Sequence, residues 1–226
     1  GSNSAFSVTG QQNTTRTNIQ LTDDGIYNVH ATNACGTQDA STPYIQVDAQ
    51  PTSNAGPDAT KCAYVGSYTI SGASVTNAVS YSWSASGTGS LSNTNTLTPT
   101  YTFGSGETGD VTITLTPVSA GVCTGGSSQM VIHILAAPAA SASNTGPYCA
   151  GGTIALSALP AAASGYQWSG PGIVGTANGQ NQNIGSAVPA YAGVYTVTIT
   201  GTNTCSATAS TTVVVDQVTF TATASP

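Results

Sequence analysis

Five cysteines carry most of the reactive chemistry available to this chain: Cys35, Cys62, Cys123, Cys149 and Cys205. None belongs to a C-x-x-C pair, which turns the reading away from zinc and towards disulfides in an oxidising, extracellular setting. The rest of the inventory is thin: 8 acids, 2 histidines and 2 basic residues among 226 positions. Glu107 is the only glutamate, so no paired carboxylates suggest general acid–base work, and no Ser-His-Asp or Cys-His set is apparent. His30 is expected to point to solvent and His133 to sit in a core or interface; neither has a second ligand at metal spacing. Asp23 and Asp24, or Asp58, could contribute oxygens to calcium, but acids this sparse more readily serve as turn acceptors. The expectation is a chain with no catalysis and no cofactor.

Composition narrows the partners. Charged residues make up 4% of the chain, against about a quarter in an average soluble protein, and the net charge is −6. Nucleic acid and anionic membranes both require clustered Lys and Arg, so neither is expected. The longest apolar run, VIHILAAPAA from residue 131, is too short to span a bilayer and contains a proline. Hydroxyl and amide groups must keep the surface wet, and the abundant Thr and Val favour strands.

Strand-like alternation of period two recurs in YTISGA, VTITLTPV, YTVTIT and TTVVVD, with Gly, Asn, Ser and Pro between the runs. The spacing is that of an all-β sandwich. Two complete repeats emerge. One runs from NAGPDATKC through YSW to VC and the strand MVIHIL; the other runs from NTGPYC through YQW to NTC and TTVVV. Trp83 precedes Cys123 by 40 residues, and Trp168 precedes Cys205 by 37. LTDDGIYNVHATNACG matches the back half of a third copy, whose Trp would fall before residue 1. The expected division is 1–49, the C-terminal part of a module; 50–136 and 137–216, complete modules; and 217–226, the first strand of another. On that division the chain is an interior slice of a longer array, which accounts for the odd cysteine, Cys35.

Trp83 and Trp168, each two residues after a Tyr, are expected to fill the space between two sheets, or to stack on sugars if exposed. Gly25-Ile26-Tyr27 and Gly193-Val194-Tyr195 resemble the tyrosine corner of immunoglobulin sandwiches. Val29 and Val197 stand where an antibody cysteine would be, and Val111 stands where the middle module's Tyr would be. Because each complete repeat holds two cysteines, the expected pairing is Cys62 with Cys123 and Cys149 with Cys205, stabilising by roughly 4 kcal/mol each. In an immunoglobulin topology, however, these positions lie at opposite poles, which leaves open pairs that clamp adjacent modules.

Taken with the quoted N-x-G-P, Y-x-W and G-V-Y lines, residues 50–226 resemble the tandem Ig-like and PKD-like modules of long secreted surface proteins of Bacteroidota, including gliding adhesins and other type IX secretion cargo. The resemblance implies tandem immunoglobulin-like (Ig/PKD-like) β-sandwich modules in an elongated array at the cell surface. It further implies a stalk, adhesin or fibre whose partners are neighbouring modules, like chains or surface glycans. The alternative is a spacer or carbohydrate-binding region of a secreted polysaccharide-degrading enzyme. Asn13-Thr14-Thr15 is a single glycosylation sequon.

Overall fold

A computed structural model describes residue 15 and residues 17–175 and 177–217. Residues 218–226, expected as most of a further strand, and Asn13 of the sequon lie outside them. The described residues are almost entirely β, with three single-turn 3-10 helices. The first segment contributes β1 (Asn28–Asn33) and β2 (Gly36–Ser41), an antiparallel hairpin with every residue exposed.

The middle segment contains β3 (Thr52–Asn54), β4 (Ala59–Cys62), β5 (Ser67–Thr69), β6 (Ser74–Thr76), β7 (Ser80–Ala85), β8 (Ser90–Ser92), β9 (Thr100–Thr102), β10 (Gly109–Val118) and β11 (Ser128–Leu135). The last contains β12 (Ser141–Asn144), β13 (Tyr148–Cys149), β14 (Ile154–Leu159), β15 (Gly165–Ser169), β16 (Asn181–Ile184), β17 (Gly193–Thr200), β18 (Ser206–Val213) and β19 (Val215–Asp216).

In the middle module one sheet runs β4-β11-β10-β7, with β4 parallel to β11. The facing layer is β3 on β6 and β5-β9-β8, where β5 and β6 are one strand bent near Gly72 (φ +76°). The last module repeats the plan: β15-β17-β18 faces β12-β14-β16, and β13 runs parallel to β19. In immunoglobulin letters this is A-B-E opposite C-F-G, with A′ parallel to G, so both modules are immunoglobulin-like sandwiches. Each has its own core. Val111, Ile113, Leu115, Met130, Ile132 and Ile134 alternate inwards in the middle module; Ile154, Leu156, Tyr195, Val197 and Ile199 do so in the last. Val197 thus packs the slot of the antibody cysteine, whereas Val29 is 60% exposed.

The recurring motifs have local causes. In N-x-G-P the Asn side chain accepts the amide two residues on, Asn54 from Gly56 and Asn144 from Gly146, both at 2.9 Å. Trp83 and Trp168 lie between the sheets, 9% and 2% exposed, and donate their indole N–H to the Thr96 and Gly179 carbonyls at 3.1 Å. Neither ring has a face free for a sugar. Strand surfaces are tied largely by hydroxyls: Thr52 with Thr76 at 2.6 Å, Thr69 with Thr100 at 2.9 Å, Thr196 with Ser210 at 2.9 Å.

The tyrosines close the corners. Tyr27 Oη donates to the Asp23 carbonyl at 2.6 Å, and Tyr195 Oη to the Tyr191 carbonyl at 3.0 Å while accepting Gly172 N–H at 2.9 Å. Burial pushes the Tyr195 phenol pKa up. In the middle module the ladder sets Trp83 opposite Leu115 as it sets Trp168 opposite Val197, so Ile113, and not Val111 as expected, is the counterpart of Tyr195; the phenol arrives instead from β9, as Tyr101. Its hydroxyl accepts Gly89 N–H at 2.9 Å and donates to Glu107. Glu107 also accepts the amides of Thr88 and Gly104 at 2.6 and 2.8 Å. Burial opposes charge on Glu107, but these donors outweigh it and hold the carboxyl below its ordinary value.

Two outcomes follow. Tyr195→Phe leaves the buried Gly172 amide unbonded and should destabilise the last module by about 1–3 kcal/mol in urea unfolding, whereas Tyr27→Phe, at a wetter site, should cost less than about 1 kcal/mol. Because the folded-state pKa of Glu107 is depressed, its contribution is complete above the ordinary carboxylate range and is lost as pH falls through the folded value. Glu107→Gln should therefore cost about 1 kcal/mol at pH 7, with the gap from wild type closing below about pH 4; a gap constant with pH would refute the charge-based account.

Candidate functional site: the junction between modules

The chemistry of the chain concentrates where one module hands over to the next. Strand β11 ends at Leu135, and Ala136, Ala137 and Pro138 lead into the last module. The parallel ladder sets Cys62, the last residue of β4, directly beside Leu135. From the other side, the β17–β18 turn folds back onto this end. Gly201 N–H donates to the Cys205 carbonyl at 2.8 Å, and Thr204 takes φ +67°. The Asn203 side-chain oxygen accepts Cys205 N–H at 3.2 Å, while its amide donates across the junction to the Ala136 carbonyl at 2.8 Å. Cys205 is thereby fully buried, 3.9 Å from the Leu135 carbonyl oxygen, and is bonded to Cys62 with Cα atoms 5.6 Å apart.

This corrects the expected pairing. Cys62 does not join Cys123, and Cys149 does not join Cys205; the one disulfide spans two modules, and Cys35, Cys123 and Cys149 are free thiols. The cause is topological. A module's first cysteine lies beside the exit of its own last strand, whereas its second lies on a turn that faces the preceding module.

The junction ahead of the middle module is built on the same lines. The Cys123 sulfur lies 3.5 Å from the Asp48 carbonyl oxygen, and the Gln50 amide donates to the Thr124 carbonyl at 3.1 Å. Gly121 lies against the Asp48 carboxylate, which would have to turn aside to admit a Cβ.

Other candidate residues are placed elsewhere. Asp24 accepts the Tyr44 hydroxyl at 2.7 Å and Val47 N–H at 3.2 Å; Asp23 accepts Gln20 N–H at 2.8 Å; Asp58 accepts Val131 N–H at 2.7 Å. Asp58 sits on a different module from Asp23 and Asp24, and among the described residues no three His, Cys, Asp or Glu side chains converge as a metal would need. His30 is solvent-facing and meets Asp39 across β1 and β2 at 2.6 Å. His133 was expected in a core or interface. Instead Met130, Ile132 and Ile134 take the inward positions of β11, and His133 faces outwards against Asp110 at 2.6 Å. Sequence reasoning missed the role of Asn203; its signal was the shared Asn-x-Cys in NAC and NTC, since Asn33 likewise accepts Cys35 N–H at 2.8 Å.

No family model matches the chain, and no curated protein does. Solved structures with similarity include the N-terminal eight Ig domains of Down Syndrome Cell Adhesion Molecule (14% identity, TM-score 0.46, 84% of this chain and 31% of that one). Sidekick-1 immunoglobulin domains 1–5 (15%, 0.32, 90% and 47%) and DIP-gamma IG1+IG2 (12%, 0.38, 77% and 100%) are others. This chain spans about a third to a half of the first several chains it matches. The fold assignment rests on the strand order above and not on these scores.

The junction geometry yields a direct outcome. Elastase nicking within the alanine-rich 136–140 linker should leave the two halves together on a non-reducing gel and release them on reduction. Cys205→Ser should release them under both conditions and be nicked several-fold faster. Release of the wild-type halves without reductant would contradict the bond across the junction.

Proposed function

We propose that this chain is a non-enzymatic structural or adhesive segment of a long extracellular surface protein, with immunoglobulin-like modules stacked as a stalk. The observation that carries the reading is the Cys62–Cys205 bond between separately cored modules, backed by the Asn203–Ala136 and Gln50–Thr124 contacts. Such ties restrict swivelling at the linkers, which serves a stalk and has no use in a freely jointed tether. A disulfide also fits an oxidising compartment. Among the described residues no helix is long and apolar enough to cross a membrane. The finer reading, a filament-forming surface protein of Bacteroidota exported by type IX secretion, rests on the module resemblance alone.

The alternative, a spacer or carbohydrate-binding region of a secreted polysaccharide-degrading enzyme, has one feature in its favour. A shallow polar depression on the last module is lined by Tyr166, Gln167, Asn178, Thr198 and Thr200. Its tyrosine hydroxyl is already committed, donating to the Pro160 carbonyl at 2.6 Å and accepting Ala163 N–H. Antibodies to the chain should label intact source cells along surface fibres, and a glycan array should give no ligand tighter than about 1 mM, the weak end of specific binding. Labelling only after lysis, or a submillimolar glycan, would displace the stalk reading.

A further inference from the structure

Three points where the chain leaves a module correspond: Asp48, Leu135 at the end of β11, and Asp216 at the end of β19. Pro51 follows Asp48 by three residues, as Pro138 follows Leu135. At Leu135 the site is complete. Cys62 is placed beside it by the parallel ladder, and Cys205 is delivered by the turn of the following module. At Asp216 half of the site is present: the β13–β19 ladder pairs Cys149 with Asp216 in the register that pairs Cys62 with Leu135, and Cys149 is an exposed thiol. At Asp48 the other half is present: Cys123 lies against the Asp48 carbonyl as Cys205 lies against that of Leu135, and no ladder cysteine accompanies it.

We infer that Cys149 and Cys123 are complementary half-sites of covalent module-to-module joints. Cys149 takes the turn cysteine of a further module of this type seated on the Asp216 end. Cys123 takes the ladder cysteine of the module that carries Asp48. Every junction is then stapled, each staple joining the first cysteine of one module to the second cysteine of the next. The occupant's chemistry is a cysteine on a short β-turn, held as Asn203 holds Cys205; this chain offers one such loop itself, where Asn33 holds Cys35. Closure is a two-electron oxidation by a disulfide donor such as oxidised glutathione. One thiolate attacks the donor and expels a glutathione thiolate. The second thiolate then attacks the mixed disulfide and expels the other, the two cysteines having lost one proton each.

The test extends the full chain by repeating residues 136–217 directly after Asp216, refolds it with oxidised and reduced glutathione, and counts free thiols after denaturation without reductant. The chain then has 7 cysteines, two more than the 5 of the natural sequence. A staple to Cys149 leaves about three titratable thiols, and its absence leaves about five. A non-reducing peptic map should join Cys149 to the added copy's turn cysteine, and Cys149→Ser should return one thiol. The Cys62–Cys205 peptide in the same map certifies folding. Five thiols with that peptide intact, or an added module bonded within itself, would overturn the inference. Linear oligomers of the unextended chain joined through Cys149 and Cys35 would support the same half-site with its occupant in a second copy.

Discussion

The short parallel pairing of β4 with β11 is the constraint on which the junction depends. Four residues of ladder suffice to bring Cys62 level with Leu135, the last residue before the chain leaves the module. A slip of one residue would turn the cysteine to the opposite face of the sheet, away from the following module. Asp58, which accepts the Val131 amide at 2.7 Å from the start of β4, helps hold that register. The joint is therefore set by backbone pairing inside one module before the other module contributes anything.

The modules hold together with almost no charge. Interior order comes from the alternating aliphatic strands and a central Trp, and surface order from hydroxyl pairs across strands. A hydroxyl pair has no long-range field, so neighbouring surfaces neither repel nor steer one another at a distance. What positions the modules must then be contact at the junction itself. Asn203 and Gln50 supply that contact by donating to backbone carbonyls across the junctions.

Much of this was legible in the sequence. Alternation in VTITLTPV and YTVTIT translates directly into the buried faces of β10 and β17, because a strand's period of two leaves no other assignment. Y-x-W and G-V-Y mark positions where a large ring must be enclosed and its polar tip bonded. Three features were not legible. The role of Tyr101 depends on the preceding strand, β9, supplying the phenol that β17 supplies in the last module, and no repeat motif marks that exchange. His133 lies in an apolar run, yet its neighbours in the ladder, not its hydropathy, decide its face. The disulfide was misassigned because counting cysteines per repeat treats each module as closed, whereas each module's two cysteines serve different junctions.

The same bond changes how tension travels. Cys62 and Cys205 are 143 residues apart in sequence. A pull applied at the two ends of the chain passes from Cys62 to Cys205 through one covalent bond, so the strands from β5 to β17 are bypassed while β3, β4, β18 and β19 remain in the path of the load. Some 470–510 Å of fully extended backbone is thereby withheld from stretching. A tether built this way can lengthen only by peeling the strands that flank the bond, so its resistance to load is set by how firmly β4 is held on β11 and β18 on β17.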